Sequence, residues 1–291
     1  MFRVFTICFV FLFASACREN SPQKAIQSGA GATITRIVST APNLTEIVFA
    51  LGAGDKLVGV TRYCNYPEAA RKLTRVGGYM DPSVEKMVAL KPNLVLLTKR
   101  GASTTLESAL ARYRIPALSL PLDTMDDVRR SFTVVGKAIG ELSAGVALTE
   151  RFNAQIEKQK ARIPKNATRP KTVVIIGHRP LIVAGKGAFI GDLLLLAGGE
   201  NAAQSSLQPY PQWSAETLLR EKPDVIIDAW MGGPDEIADT APERWRTMEG
   251  IPAVLNQRVH RVSDERLLRP GPRLTEALAT LVTLLYPGAK P

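Results

Sequence analysis

Residues 83–97 read S-V-E-K-M-V-A-L-K-P-N-L-V-L-L, and the pattern returns at residues 214–228 as S-A-E-T-L-L-R-E-K-P-D-V-I-I-D. Each copy runs serine, glutamate two residues on, a short apolar-periodic segment, Lys-Pro and an apolar stretch, and a tyrosine, Tyr79 or Tyr210, stands shortly before each serine. Self-similarity over a long period sets the architecture, so two lobes of like design are expected. Ser83 and Ser214 suit helix N-caps. Glu85 and Glu216 then fall in the first turn, where the helix dipole favours negative charge. Pro92 and Pro223 disfavour helical geometry in the lysine before them and end the helix. The apolar runs that follow, 94–97 and 225–227, read as parallel strands covered on both faces.

Composition frames this reading. The chain has 291 residues, 45% hydrophobic and 22% charged, which suits a globular protein of two domains. The formal net charge is +10, but the basic residues are scattered, with no patch of the kind that binds nucleic acid. Residues 4–16 are mostly apolar and end in Ala14-Ser15-Ala16 before Cys17. That run falls short of the roughly 20 residues a spanning helix needs and has the form of a signal peptide, residues 1–16. Small residues before Cys17 also resemble a bacterial lipoprotein box, although Ala14 stands where leucine is usual. Lipidation of Cys17 or plain cleavage both export the chain. Residues 17–33 are polar and Gly/Ser-rich, as a flexible tether is. The three cysteines form no disulfide framework; Cys64 reads as a buried or cleft-lining residue, because no histidine lies near it in sequence.

Along the chain, residues 36–40 and 57–60 read as strands around a helix opening at Pro42. Asn43 and Glu46 have capping-box spacing, and Leu44, Ile47, Val48 and Leu51 give its apolar face. A helix over 103–113, a strand over 117–120 and a helix from about Thr124, with Val128, Phe132, Val135, Ile139 and Leu142 on one face, complete the N-terminal lobe, 34–142. Residues 143–164 predict a connecting helix, striped with Leu148, Phe152 and Ile156, long enough to join two lobes as a strut. The C-terminal lobe, 165–291, opens with a strand at 171–176 and closes with an amphipathic helix carrying Leu274, Ala277, Leu278, Leu281, Val282 and Leu285. Gly185-x-Gly187 matches no phosphate loop.

Five segments in this order, R-I-V-S-T-A-P-N-L-T-E-I-V-F-A-L-G, V-G-G-Y-M-D-P-S-V-E, A-L-K-P-N-L-V-L-L, V-A-G-K-G-A-F-I and L-L-R-P-G-P-R-L, resemble the helical-backbone substrate-binding proteins of ABC transporters. That group binds cobalamin, haem and iron–siderophores, and the resemblance covers residues 36–286. It implies an α/β fold of two Rossmann-like lobes with parallel sheets, joined by a single long α-helix. It also implies partnership with an ABC permease dimer and its ATPase subunits, to which Glu85 and Glu216 would dock. A ligand between the lobes at the C-terminal strand ends would meet Tyr63, Tyr79, Thr98, His178, Arg179, Tyr210, Trp230, Asp264 and Arg269. Tyr63, Tyr79 and Tyr210 align with aromatic contacts of the cobalamin-binding members, which the present chain resembles most; Asp264 and Arg269 align with polar ones. Cobalamin or another corrinoid is then the transported ligand. His178 and Tyr79 keep haem open, and Arg62, Arg179 and Arg269 a ferric siderophore. The resemblance implies a monomer in the periplasm or anchored facing it, with no catalytic cofactor and no metal site of its own. An exported hydrolase is the competing class, but the sequence has no G-x-S-x-G or H-E-x-x-H and only two histidines, His178 and His260.

Overall fold

The structure, a computed structural model, describes residues 33–100, 103–229, 245 and 248–288. Two separate sheets form the two lobes. In lobe one, β1 (Ile37–Ser39), β2 (Leu57–Val60), β3 (Thr74–Arg75), β4 (Leu94–Thr98) and β5 (Ala117–Leu120) are all parallel, in the order β3-β2-β1-β4-β5. The chain moves outward from β1 to β3 and then returns to lay β4 on the other side of β1. That reversal opens a crevice beyond the carboxyl ends of β1 and β4.

Lobe two is mixed where parallel strands were expected. There β6 (Lys171–His178) pairs in parallel with β8 (Glu200–Asn201) and β10 (Val225–Asp228), and β11 (Val259–Arg261) lies parallel to β10. On the edge of β6 away from β10, β7 (Leu181–Val183) runs antiparallel to β6, and β9 (Gln212–Trp213) antiparallel to β7. The reason is local. Arg179 and Pro180 are too short a link for a crossover, so the chain can only fold back as a hairpin.

The repeat extends to single atoms. Helices α2 (Val84–Ala89) and α7 (Ala215–Glu221) begin at Ser83 and Ser214, whose hydroxyls accept from Lys86 N at 3.3 Å and Thr217 N at 3.1 Å. Lys91 and Lys222 both stop the helix in the left-handed region, at φ +47° and +46°, which costs an L-residue roughly 1–2 kcal/mol. The side chains of Asn93 and Asp224 then accept from the backbone N–H of Arg36 at 3.0 Å and Lys171 at 2.9 Å. Each signature unit is thereby tied to the start of its own lobe's sheet.

The other helices are α1 (Pro42–Ala50), α3 (Ser103–Arg112), α4 (Met125–Ile139), α5 (Leu142–Lys160), α6 (Phe189–Leu196), α8 (Pro252–Leu255) and α9 (Leu274–Leu285). Thr124 and Asp127 form a reciprocal capping box at α4, and Gly140, at φ +83°, ends it. Leu142 therefore starts α5 and is exposed, where the sequence pattern puts it on the α4 face. The 19 residues of α5 rise about 28 Å. Its buried stripe of Leu148, Phe152 and Ile156 belongs to a core shared by α4 of lobe one and α6 and α9 of lobe two. Phe132 meets Phe152 edge-on, with ring centroids 5.2 Å apart. One apolar core thus runs from lobe to lobe through α5, so the helix is packed along its length and is no isolated rod. Among the described residues no helix is long and apolar enough to cross a membrane.

Candidate functional site

Between the lobes lies a cleft of about 390 Å³. All five strands of lobe one deliver residues to it from beyond their carboxyl ends: Asn43 after β1, Tyr63 after β2, Tyr79 after β3, Thr98 and Arg100 at β4, and Asp123 after β5. Phe189, Tyr210 and the segment from Leu268 to Pro270 close it from lobe two. Its wall is mainly apolar and aromatic, with Lys99, Arg100, Arg269 and Asp123 as the charged groups among the described residues.

Tyr79 owes its place to a tight turn. Gly77 has φ +114°, and a Cβ there would stand 2.6 Å from the Asp81 carbonyl oxygen, so only glycine lets the chain double back to pair with Pro82. The Tyr79 hydroxyl then shares a 2.9 Å hydrogen bond with Thr98 Oγ1 and donates to the Arg100 carbonyl at 3.2 Å. Arg100 pairs with Asp123 and lays its guanidinium 5.2 Å from the centre of the Tyr210 ring, joining the two lobes across the cleft. Burial pushes the Tyr210 phenol up to about 12, the Arg100 charge opposing it, so this hydroxyl stays protonated at neutral pH.

Five of the nine ligand residues expected from sequence, Tyr63, Tyr79, Thr98, Tyr210 and Arg269, lie on the cleft wall. Three do not. His178 turns into lobe two, where Nε2 lies 2.9 Å from Asp228 Oδ1 and the ring 6.1 Å from that of Trp245. Arg179 is exposed on the hairpin between β6 and β7 and is not on the cleft wall. Asp264 faces its own loop: it caps the turn Glu265–Leu268 and accepts from Arg266 N at 2.9 Å and Arg266 Nε at 2.7 Å. Burial pushes the Asp264 carboxyl up, but the bonds from Arg266 outweigh this and hold it below the ordinary carboxylate value. Trp230 and Cys17 lie outside the described residues. Arg62 pairs with Asp81, and neither it nor Arg179 is among the cleft wall residues, whereas Arg269 is. Cys64 is buried between the hydroxyls of Thr45 and Thr61. Glu85 and Glu216 are exposed in the first turns of α2 and α7.

The largest correction concerns Asn43 and Glu46. They form no capping box: the N-cap is Ala41, with Pro42 at the first turn. Asn43 Nδ2 donates to the Pro270 carbonyl at 3.1 Å. Glu46 is buried, its side chain 2% exposed, and accepts from Arg273 Nε at 2.9 Å, with Arg269 Nη1 at 3.5 Å. Arg100, Asp123 and Phe189 were also not legible as cleft residues; their position after β4, after β5 and at the start of α6 was the available signal.

The periplasmic binding protein family matches residues 37–265, which takes in both sheets and every described cleft residue except the segment from Leu268 to Pro270. This chain belongs to that family. Its members are substrate-binding components of transport systems. A vitamin B12-binding protein of Pectobacterium atrosepticum is 31% identical over 254 residues, 86% of this chain and 88% of the relative. Among solved structures, the periplasmic vitamin B12 binding protein of Vibrio cholerae superposes with a TM-score of 0.75 at 28% identity, over 87% of this chain and 96% of the other. A periplasmic heme-binding protein of Roseiflexus sp. RS-1 in its apo form gives 0.77 at 25% identity, over 89% and 100%.

Proposed function

We propose that this chain is the substrate-binding component of an ABC importer and that its cleft takes cobalamin or a related corrinoid. The observation that carries the reading is the wall itself: three tyrosines from both lobes around a few charged groups, at the carboxyl ends of a switched parallel sheet. Aromatic faces with sparse polar contacts suit a broad, flat macrocycle fringed with amides. The cleft stands at the lower end of the roughly 300–1,000 Å³ spanned by small-molecule sites, so a corrinoid is gripped by part of its surface and projects from the mouth. The likeness to vitamin B12-binding relatives supports the same ligand.

Capture and delivery need no covalent chemistry, so the protein acts as a carrier and not as an enzyme. The lobes correspond to residues 34–142 and 165–291, with 143–164 between them. The exposed Glu85 and Glu216 meet cations of the permease, one from each lobe; such rim pairs set register and encounter rate more than affinity. The carrier is exported and works as a monomer in the periplasm, held to the membrane if Cys17 is acylated.

Haem is the second reading, favoured by the tyrosines at the cleft. His178 does not reach the wall, so iron would take a phenolate. Tyr79, the other candidate, has its hydroxyl committed to Thr98 and the Arg100 carbonyl, and Tyr210, pushed up to about 12, resists ionising; Tyr63, 51% exposed at the rim, is the better ligand. Calorimetric titration of the mature protein with cyanocobalamin, haemin and a ferric siderophore separates the readings. One-to-one saturable binding of cyanocobalamin supports the first. A Soret shift with haemin that Tyr63→Phe removes supports the second.

A further inference from the structure

Glu46 is a charged group in a place that charge avoids, since a carboxylate taken out of water is costly unless it is paired. It sits on α1 of lobe one, and among the described residues both cations that reach it, Arg269 and Arg273, come from the loop and helix start of lobe two. Its negative charge is therefore compatible with burial only while that part of lobe two is seated. Arg273 also lies 4.0 Å over the Tyr66 ring of lobe one. Arg269 also reaches lobe one directly: Nη1 donates to Asn65 Oδ1 at 2.7 Å and Nη2 to the Tyr63 carbonyl at 3.2 Å, while Nη2 also pairs with Glu265 of its own loop, a carboxylate that itself accepts from Asn65 Nδ2 of lobe one. Yet Arg269 and Tyr63 are also wall residues of the cleft.

We infer that Glu46 is a positioning residue for the ligand: by holding Arg269 and Arg273 across the lobe boundary, it presets the spacing of the two cleft walls before ligand arrives. Arg269 on this account spaces the walls and does not read the ligand. The physical reason for using charge here is direction. Apolar groups could seal the lobes together as firmly, but a forked guanidinium on a carboxylate fixes angle and register as well. The inference rests on the cleft being the ligand site, as proposed above.

The test uses Glu46→Gln in the full mature protein, which keeps the side chain's size and removes its charge. Small-angle scattering of the unliganded variant is expected to show a broader, larger-dimension ensemble than wild type, contracting to the wild-type profile with saturating cyanocobalamin. Affinity for cyanocobalamin is expected to fall about tenfold or more, the ligand now having to draw the lobes together. Arg273→Gln should behave alike, and the double variant should be little worse than either single change, because both remove one interaction. Wild-type scattering and wild-type affinity in Glu46→Gln, with only a lower melting temperature, would overturn the inference. If that variant does not fold, Glu46→Asp keeps the charge but draws it back from the arginines, and unchanged scattering and affinity there would overturn it equally. Should wild type bind neither cyanocobalamin nor haemin, the ligand reading fails, and the scattering of the unliganded proteins alone decides the role of Glu46.

Discussion

Gly145→Ala reverses the sign that helix propensity predicts. In an open helix the change gains about 1 kcal/mol, because alanine loses less backbone freedom. Gly145, however, lies where α5 crosses α4, and a Cβ there would stand 2.7 Å from the Phe132 carbonyl oxygen and 3.1 Å from Thr133 Cα. Both neighbours are backbone and cannot swing aside. On the facing helix Gly136 is as tight, a Cβ meeting the Glu141 carbonyl oxygen at 2.7 Å. Wedging a methyl into such a contact costs about 1–3 kcal/mol. The clash outweighs the gain, leaving a net loss of about 1 kcal/mol and a melting temperature lower by about 2–4 °C. Gly145→Val adds volume and loses propensity, so it should fall further. Asn153→Ala, at an exposed position of the same helix, should instead hold or raise the melting temperature. Thermal unfolding followed by circular dichroism reads all three. A Gly145→Ala protein as stable as wild type or more so would mean that α4 and α5 do not pack as described.

Three other expectations concern function and pH. Glu85→Ala and Glu216→Ala should leave ligand affinity unchanged while lowering uptake in cells or vesicles; normal import by the double variant would remove the docking assignment. His178→Ala should keep cyanocobalamin affinity but destabilise the fold by about 1–3 kcal/mol, since Asp228 loses a buried partner; a large affinity loss at unchanged stability would return His178 to the ligand site. Tyr210 is held above its unfolded value of 10, up to about 12. Its protonated form is favoured in the fold, so its contribution to stability is present below pH 10 and is lost as pH rises from about 10 to 12. Denaturant titrations across that window should show a flatter decline in Tyr210→Phe, and equal slopes would contradict the burial of this phenol.

The duplicated unit was legible because its signals are local. Serine caps, first-turn glutamates, Lys-Pro stops and apolar runs each act within a few residues, and the helix faces of α1, α5 and α9 follow from spacing alone. Contacts between distant segments were not legible in the same way. Asn43 and Glu46 have capping-box spacing, but Ala41-Pro42 starts the helix earlier, and both side chains are claimed by lobe two. His178 lies at the carboxyl end of a strand as expected of a ligand residue, yet Asp228 on the neighbouring strand draws it into the lobe. Tyr63 is legible because it follows a strand end, and Tyr79 and Tyr210 because each precedes a copy of the repeat; Phe189 carries no such signal, and the value of Arg100 and Asp123 lies in pairing with each other and with Tyr210.

Equilibrium dialysis of the mature protein against cyanocobalamin, with Tyr79→Ala and Tyr210→Ala beside wild type, tests most directly the claim that the two lobes grip a flat ligand between their tyrosines. The account predicts one bound molecule per wild-type chain, with affinity weakened by each substitution and most by the pair. Binding that is absent from wild type, or that survives the loss of both rings undiminished, would contradict it.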